Sequence, residues 1–242
     1  MTTTSPPTRL MLVTPLVADA DAMAFRLMQA QAGGDLAAVL LRLAPGYERS
    51  RIERVKRLAG PVQAANVALV VEDSALVATR GGADGVHLTG GPDVIAEARS
   101  SLKSERIIGA GGLRARHDAM DVGEAGVDYV LFGEPRPDGS MPPLPAVIER
   151  AGWWAEIFQT PCVAYAPDTD SVAALAETGA EFIALGDWAF AEGSDIRAIV
   201  GEANEAAARI PRGGSRARRR LCRLPDRPLP PRPLRSAEAH RG

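Results

Sequence analysis

The segment at residues 125–143, AGVDYVLFGEPRPDGSMPP, places charged side chains directly after the apolar run YVLF. Its loop holds Glu134 and Asp138, one arginine, several prolines and no lysine. Parallel α/β folds carry their binding and catalytic groups at strand ends, and a loop that handles phosphate needs cations there. Two carboxylates at this position favour a neutral or cationic ligand, or a loop without a phosphate role.

Basic residues are distributed unevenly along the 242-residue chain, whose formal net charge is −2. Lysine occurs only at Lys56 and Lys103. Residues 212–242 hold ten arginines against Asp226 and Glu238, which leaves 18 basic and 28 acidic side chains in the remainder. Because attraction to phosphate dominates nucleic-acid affinity, nucleic acid is not an expected partner of this acidic body.

Eight short, almost continuous apolar segments alternate with amphipathic segments of helix length. Continuous apolar strands are typical of a parallel sheet that is covered on both faces. Several helical segments, such as SRIERVKRLAG, open at Asp or Ser and close at Gly, the expected order of caps. The pattern predicts a single (β/α)8 TIM barrel. Its strands are expected near residues 10, 36, 67, 85, 106, 129, 161 and 182.

Three segments repeat one pattern, namely GGADGVHLT, AGVDYVLFG and TGAEFIALG. Each runs from a glycine through an acid into an apolar strand, and the three fall on the fourth, sixth and eighth predicted strands. Such a repeat is expected when each βα unit packs in the same way, with a glycine at the C-cap of its helix and an acid at the bottom of the barrel. The repeat supports the prediction of a barrel and does not indicate a ligand.

Composition divides the chain into three expected parts. They are a flexible N-terminus at residues 1–9, the barrel at residues 10–211, and a disordered basic tail rich in arginine and proline at residues 212–242. The tail is either an RNA-binding or anchoring arm or an extension without a role. The two cysteines suggest no disulfide framework, and no apolar run reaches the roughly 18 residues of a membrane span. We therefore expect a cytoplasmic protein without a membrane partner.

The order of strand endings resembles that of the thiamine phosphate synthase and thiazole tautomerase (TenI-like) family. The similarity extends over residues 10–200 and rests on GADGVHL and DYVLFG, supported by IIGAGG and GAEFIALG. The resemblance implies a barrel that joins hydroxymethylpyrimidine diphosphate to a thiazole phosphate, releases diphosphate and uses Mg²⁺. Phosphorylated small molecules are the implied substrates, and a homodimer is a further option.

By this resemblance, Arg42 and Arg136 are the implied catalytic residues. Arg42 retains the arginine of the family's second-strand motif, whose glutamine and lysine are replaced here by Leu40 and Ala44. Arg136 is the one cation in the loop after the sixth strand, where the family has a threonine-rich stretch ending in lysine. The departures leave fewer cations for a diphosphate than the family pattern provides.

The resemblance also implies that Asp73 and Asp93 are ligands of Mg²⁺. Each has an alternative role that the sequence leaves open. Asp73 would equally serve as the N-cap of the helix SALVATRGG. Asp93 stands one residue after the position of the family's metal-binding aspartate. With Pro92 it would also form an ordinary helix start.

The implied substrate-binding residues are Arg42, Gly111, Gly112 and Gly186. At Gly111 and Gly112 the synthases carry a serine and a threonine, so this chain loses two hydroxyls and leaves room for a ligand. We expect the two histidines of the barrel to be structural. His117 is predicted to be exposed on a helix, and His87 to be packed within its strand.

Three aspartates weaken the expected phosphate site. The turn after the seventh strand reads YAPDTD where the family has a glycine-rich phosphate turn, so Asp168 and Asp170 would lie near a dianion, as would Asp187 after the eighth strand. At an effective dielectric near 20, one unit pair at about 5 Å costs about 3 kcal/mol.

Two functions are therefore open. One is a synthase of the thiamine phosphate type. The other is a catalytically inactive or repurposed family member that binds a different small molecule or a protein partner. A positively charged barrel mouth would favour the first, and a neutral or negative mouth would favour the second.

Overall fold

The computed structural model describes residues 7–210, which form one closed barrel of eight parallel strands. Each strand pairs with its neighbours in chain order, and β8 closes on β1. All eight predicted strands are confirmed, and with them the (β/α)8 fold. The strands are β1 (Arg9–Val13), β2 (Leu36–Leu41), β3 (Ala68–Glu72), β4 (Gly85–Thr89), β5 (Ile107–Gly111), β6 (Tyr129–Phe132), β7 (Cys162–Ala166) and β8 (Phe182–Leu185).

Eight α-helices surround the strands, one after each strand, and a short 3-10 helix at Asp187–Phe190 precedes the last. A polar cap starts α1 as predicted, because the Asp19 carboxylate accepts backbone N–H groups of its first turn. At α3 the cap is the Ser74 hydroxyl and not Asp73. The helices are α1 (Ala20–Gln31), α2 (Glu48–Ala64), α3 (Ala75–Gly81), α4 (Pro92–Ser101), α5 (Arg116–Glu124), α6 (Leu144–Ile157), α7 (Ser171–Glu177) and α8 (Ile196–Ala208).

Helix α2 departs from the predicted order of caps. It does not end at Gly60 but continues through Pro61 to Ala64. Leu58 and Val62 on either side are buried, whereas Gly60 and Pro61 face solvent. The apolar burial therefore extends the helix, and water can solvate the carbonyl that loses its partner at proline.

Apolar side chains fill two separate regions, one on each face of the sheet. The larger lies between strands and helices and includes Leu12 and Trp154. The smaller fills the interior of the barrel, with Tyr129 and Tyr165 as its largest members. Burial of each large aliphatic side chain contributes about 1.5–3 kcal/mol, so both regions hold the strand ends rigidly in place.

The repeated glycine and acid pattern has the cause that the sequence predicted. After α3, α5 and α7 the chain turns through left-handed glycines, with φ of 81° at Gly82, 84° at Gly126 and 84° at Gly179. The acid that follows each glycine then accepts a backbone N–H near the start of the preceding strand. These bonds are Asp84 to Leu69 at 2.8 Å, Asp128 to Ile108 at 2.7 Å and Glu181 to Cys162 at 3.0 Å.

The predicted segments at the two ends of the chain fall largely outside the described residues. The basic tail at residues 212–242 lies outside the described residues, as do residues 1–6. The first strand begins at Arg9, whose guanidinium pairs with Asp35 at 2.7 Å. Within residues 7–210, no helix has both the length and the apolar character needed to cross a bilayer.

We expect Asp84→Ala to lower the free energy of unfolding by about 1–3 kcal/mol, because the buried N–H of Leu69 loses its acceptor. Urea denaturation measures this change. Asp121 is a matched control, since it is exposed on α5 and its side chain makes no hydrogen bond or ion pair within the described chain. Asp121→Ala should change stability by less than about 0.5 kcal/mol, and equal losses in both variants would contradict the role of Asp84.

Candidate active site at the barrel mouth

The C-terminal ends of the strands surround a cavity of about 890 Å³, here called the mouth cavity. Its apolar floor contains the buried side chains of Val13, Leu40 and Leu131, which belong to the barrel interior. TIM barrels carry their chemistry at this end of the strands. The charged residues that line the cavity are Arg42, Glu72, Asp73, Arg114, Glu134, Arg136, Arg150 and Asp187.

Arg42 lines the mouth cavity directly after β2. The buried hydroxyl of Thr14 accepts the backbone N–H of Arg42 at 3.0 Å, which holds this position against the end of β1. The Arg42 guanidinium pairs with the Glu72 carboxylate at 3.3 Å, and both side chains are half-buried. Burial raises the pKa of Glu72 above its ordinary value, and the Arg42 charge offsets only part of this. Arg42 thus already has an anionic partner within the protein.

Asp73 also lines the cavity, in a left-handed conformation with φ of 58°. It is not the cap of α3, because the Ser74 hydroxyl accepts the N–H of Val77 at 3.3 Å instead. Oδ1 of Asp73 accepts the backbone N–H and the hydroxyl of Thr89, at 3.3 and 3.1 Å. Oδ2 makes no hydrogen bond within residues 7–210, so one oxygen remains available to an ion.

Asp93 does not join Asp73. It is exposed in the first turn of α4, which begins at Pro92, and it is not among the residues that line the mouth cavity. In the described chain, no group of three or more His, Cys, Asp or Glu side chains converges on a common point for a metal. Mg²⁺ at phosphate sites is commonly bound by one or two carboxylates together with water and substrate phosphates. Asp73 fits such an ion only together with a bound phosphate.

Three further arginines reach the cavity. Arg136 lies in a turn closed by its own N–H donating to the Ser140 carbonyl at 2.9 Å. Arg150 extends from α6 and donates to the carbonyl of Leu113 at 2.8 Å, and Arg114 follows β5. None of these three makes an ion pair within the part of the chain that the structure describes. The sequence pointed only to Arg136, because Arg150 lies within a helix, away from any strand end.

Glu134 turns its carboxyl into the cavity, where it accepts the backbone N–H of Gly112. The absence of a side chain at Gly111 makes this possible, since a Cβ there would lie 2.7 Å from Glu134 Oε1 and 2.5 Å from His87 Nε2. Burial raises the pKa of Glu134, more than the bond from Gly112 lowers it. The room that the sequence assigned to a ligand at Gly111 is therefore occupied by protein side chains.

His87 is packed within its strand, as the sequence predicted, and it also lines the cavity. Its Nδ1 lies 2.9 Å from the Tyr129 hydroxyl, and the two rings are stacked. Burial lowers the pKa of His87 to about 4, so the ring is neutral near pH 7. His117 is exposed, as expected, and lies 3.0 Å from Asp118.

Of the three aspartates expected to repel a phosphate, only Asp187 lines the mouth cavity. Asp168 and Asp170 are exposed elsewhere, and the Asp168 carboxylate accepts the N–H of Ser171 at the start of α7 at 2.9 Å. Gly186 does not line the cavity either, because it packs against the ring and hydroxyl of Tyr165. Of these three aspartates, only Asp187 therefore adds negative charge to the cavity lining, together with Glu72, Asp73 and Glu134.

The formal charge of the cavity lining is balanced, with four arginines and four carboxylates. The balance hides a difference in pairing. Arg42 and Glu72 neutralise each other, while the other three arginines have no ion-pair partner within residues 7–210. These three arginines are therefore outside direct ion pairs and can meet an anion, although the charge of Arg150 also acts on Glu134 and that of Arg136 on Asp138.

Comparison with known proteins gives a consistent result. The family model described as thiamine monophosphate synthase matches residues 10–187. The thiamine-phosphate synthase of Rhodospirillum centenum is 37% identical over 179 residues, 73% of this chain and 86% of that protein. The thiamine-phosphate synthase of Hyphomonas neptunium is 35% identical over 197 residues, 78% of this chain and 89% of that protein.

A likeness in fold extends to a solved structure. The thiamine phosphate pyrophosphorylase from Pyrococcus furiosus superposes with a TM-score of 0.68 and 24% identity. The match covers 82% of this chain and 95% of that protein. At this identity the likeness concerns the barrel fold alone.

The raised pKa of Glu134 predicts a pH-dependent effect of Glu134→Gln on stability. The folded state favours the protonated carboxyl, so wild-type stability from this group is complete below the ordinary pKa of 4.5 and falls as pH rises through the raised value. The amide does not ionise and can still accept from Gly112. We expect the variant to match the wild type near pH 4 and to melt at a higher temperature near pH 8.

Thermal melts across this pH range test the prediction. Glu124→Gln is the control, because Glu124 is exposed on α5 and its side chain makes no hydrogen bond or ion pair in the described chain. A difference in melting temperature between Glu134→Gln and the wild type that stays constant with pH would contradict the burial of an ionisable carboxyl.

Proposed function

The chain belongs to the thiamine monophosphate synthase family, and we propose that its mouth cavity joins hydroxymethylpyrimidine diphosphate to a thiazole phosphate, with release of diphosphate. Family membership places the protein in thiamine biosynthesis. The observation that carries the proposed activity is the convergence of Arg114, Arg136 and Arg150, all without ion-pair partners in the described chain, on the cavity that also holds Arg42. We propose the cytoplasm as the place of this reaction.

Arginine is chemically suited to this role. Its planar guanidinium donates two parallel hydrogen bonds to phosphate oxygens and keeps its charge at any physiological pH. In the proposed reaction the carbon–oxygen bond to diphosphate breaks and the leaving group takes the electron pair, so cations fixed around those oxygens lower the barrier. Arginines then take the place of the lysines of the family pattern.

Asp73 is the residue that we propose for Mg²⁺. When bound, the ion would supply positive charge that offsets the negative charge of the diphosphate leaving group. A single carboxylate with one available oxygen suits an ion that arrives with the diphosphate. The protein's own contribution is to hold that carboxylate in place, through the two bonds from Thr89.

A second candidate function is the binding of a phosphorylated or heterocyclic molecule without turnover. The equal number of carboxylates and arginines around the cavity favours it. Asp187 and Glu134 would both lie near a bound diphosphate, and Arg42 is already paired with Glu72. These contacts weaken the stabilisation of a leaving anion without preventing the binding of a ring.

The first test is product formation by the full-length protein with both substrates and Mg²⁺. We expect thiamine phosphate, and a loss of about 10- to 100-fold in kcat/KM for Arg42→Ala, since a hydrogen bond to a charged group contributes about 1.5–3 kcal/mol. Arg197→Ala is the matched control, because Arg197 is exposed on α8 and should leave kcat/KM unchanged. Folded wild-type protein that binds diphosphate but forms no product would replace the proposed reaction with the second candidate.

A pair of aspartate variants tests the metal assignment. Asp73→Asn should raise the Mg²⁺ concentration that gives half-maximal activity by about tenfold or more, because the ion loses its charged ligand. Asp93→Asn should leave that concentration unchanged, since Asp93 lies outside the mouth cavity. Equal Mg²⁺ requirements in Asp73→Asn and the wild type would remove Asp73 from the metal site.

A further inference from the structure

We propose that the basic segment at residues 212–242 docks on the chain's own barrel, on the outer surface of α7 and α8. That surface, here called the acidic face, exposes Glu177 on α7 and Glu202 and Glu205 on α8. The two helices pack against each other. The inference is independent of the proposed function, because it concerns the outside of the barrel and not its mouth.

The negative charge of the barrel is concentrated in its last sector. Residues 144–210 carry 11 acidic and 3 basic side chains, whereas residues 7–143 carry 17 acidic and 15 basic ones. The sector from α6 to α8 therefore has a formal charge of −8, against −2 for the rest of the described barrel. Such an asymmetry produces a field that attracts a segment of opposite charge.

The segment that follows α8 carries the opposite charge in equal amount. Residues 212–242 hold ten arginines and two acids, which gives a formal charge of +8. A guanidinium matches a carboxylate through two parallel hydrogen bonds. Because the segment is tethered, it meets these carboxylates at an effective concentration of about millimolar. A nucleic acid would have to compete with this contact.

The carboxylates of the acidic face are available to a partner. The side chains of Glu177 and Glu202 are exposed and make no hydrogen bond or ion pair within residues 7–210. Glu205 lies 3.3 Å from Arg209, with 73% and 75% of the two side chains exposed. Exposed pairs of this kind are individually weak, so an incoming arginine can share or displace this contact.

The basic segment also begins close to the acidic face. Helix α8 ends at Ala208, and the described chain ends at Ile210, two residues before Arg212. An extended chain from residue 212 to residue 223 spans about 36 Å, whereas α8 is about 20 Å long. A segment that folds back along α8 can therefore reach every carboxylate of the acidic face.

A spin label on Cys222 of the full-length protein tests the contact. Because Cys162 is fully buried, a nitroxide thiol reagent is directed to Cys222, the only other cysteine. Broadening of backbone amide signals is measured by NMR at about 0.02 M and about 0.5 M salt, since salt screens surface charges. We expect the signals of α7 and α8 to lose at least half of their intensity at low salt and to recover it at high salt. Those of α3 and α4, across the barrel, should not change.

Charge reversal identifies the surface. In the double variant Glu177→Lys/Glu202→Lys, the broadening of α7 and α8 at low salt should fall at least twofold. Glu97→Lys/Asp121→Lys is the matched control, because it reverses the same number of charges at exposed positions of α4 and α5. This control should show the wild-type broadening. Unshifted amide signals from the other helices report that each variant is folded.

The outcomes separate docking from its alternatives. Absence of broadening at low salt, or broadening spread evenly over all helices, would overturn the proposal. Equal effects of the two charge reversals would show a general response to net charge and would also overturn it. Broadening that disappears on dilution would assign the segment to a second copy of the chain and overturn the intramolecular contact. Absence of broadening together with binding of an RNA oligonucleotide would make the segment a nucleic-acid arm instead.

Discussion

Three carboxylates at the bottom of the barrel set the strand register on which the mouth depends. Each accepts a backbone N–H near the start of the preceding strand, and each follows a left-handed glycine that ends a helix. A slip of one residue would move every inward side chain to the outer face. The position of His87 beside Tyr129 follows from the register of β4, β5 and β6. The three carboxylates thus act from the end of the strands opposite to the mouth cavity.

The features that sequence patterns predicted are those with local causes. Eight buried strands, the glycine and acid repeat and the packed His87 each depend on residues close together in the chain. Helix α2 shows the limit, because burial of Leu58 and Val62 outweighs the stop signal at Gly60 and Pro61. The candidate site shows it again, since Arg150 reaches the cavity only through the placement of α6 against the loop after β5, which no local pattern contains.

Asp73 and Asp93, the two predicted metal ligands, also show how the fold separates residues that look equivalent in sequence. Asp73 and Asp93 each stand near the end of a strand in sequence, within or close to the family's motif. A helix that begins at Pro92 carries Asp93 away from the cavity, whereas the left-handed turn at Asp73 keeps its carboxylate against Thr89. Local backbone conformation therefore decides which of the two carboxylates faces the mouth cavity.

Two departures from the family pattern are linked by sterics. The family resemblance implies a hydroxyl side chain where this chain has Gly111, and a Cβ at that position would lie 2.7 Å from Glu134 Oε1. A serine at residue 111 and an inward carboxyl from residue 134 therefore exclude each other in this arrangement. In this chain the Glu134 carboxyl occupies the space that a side chain at residue 111 would need. On this argument Gly111 is a condition for the acidic loop after β6, and the site has exchanged one polar group for another.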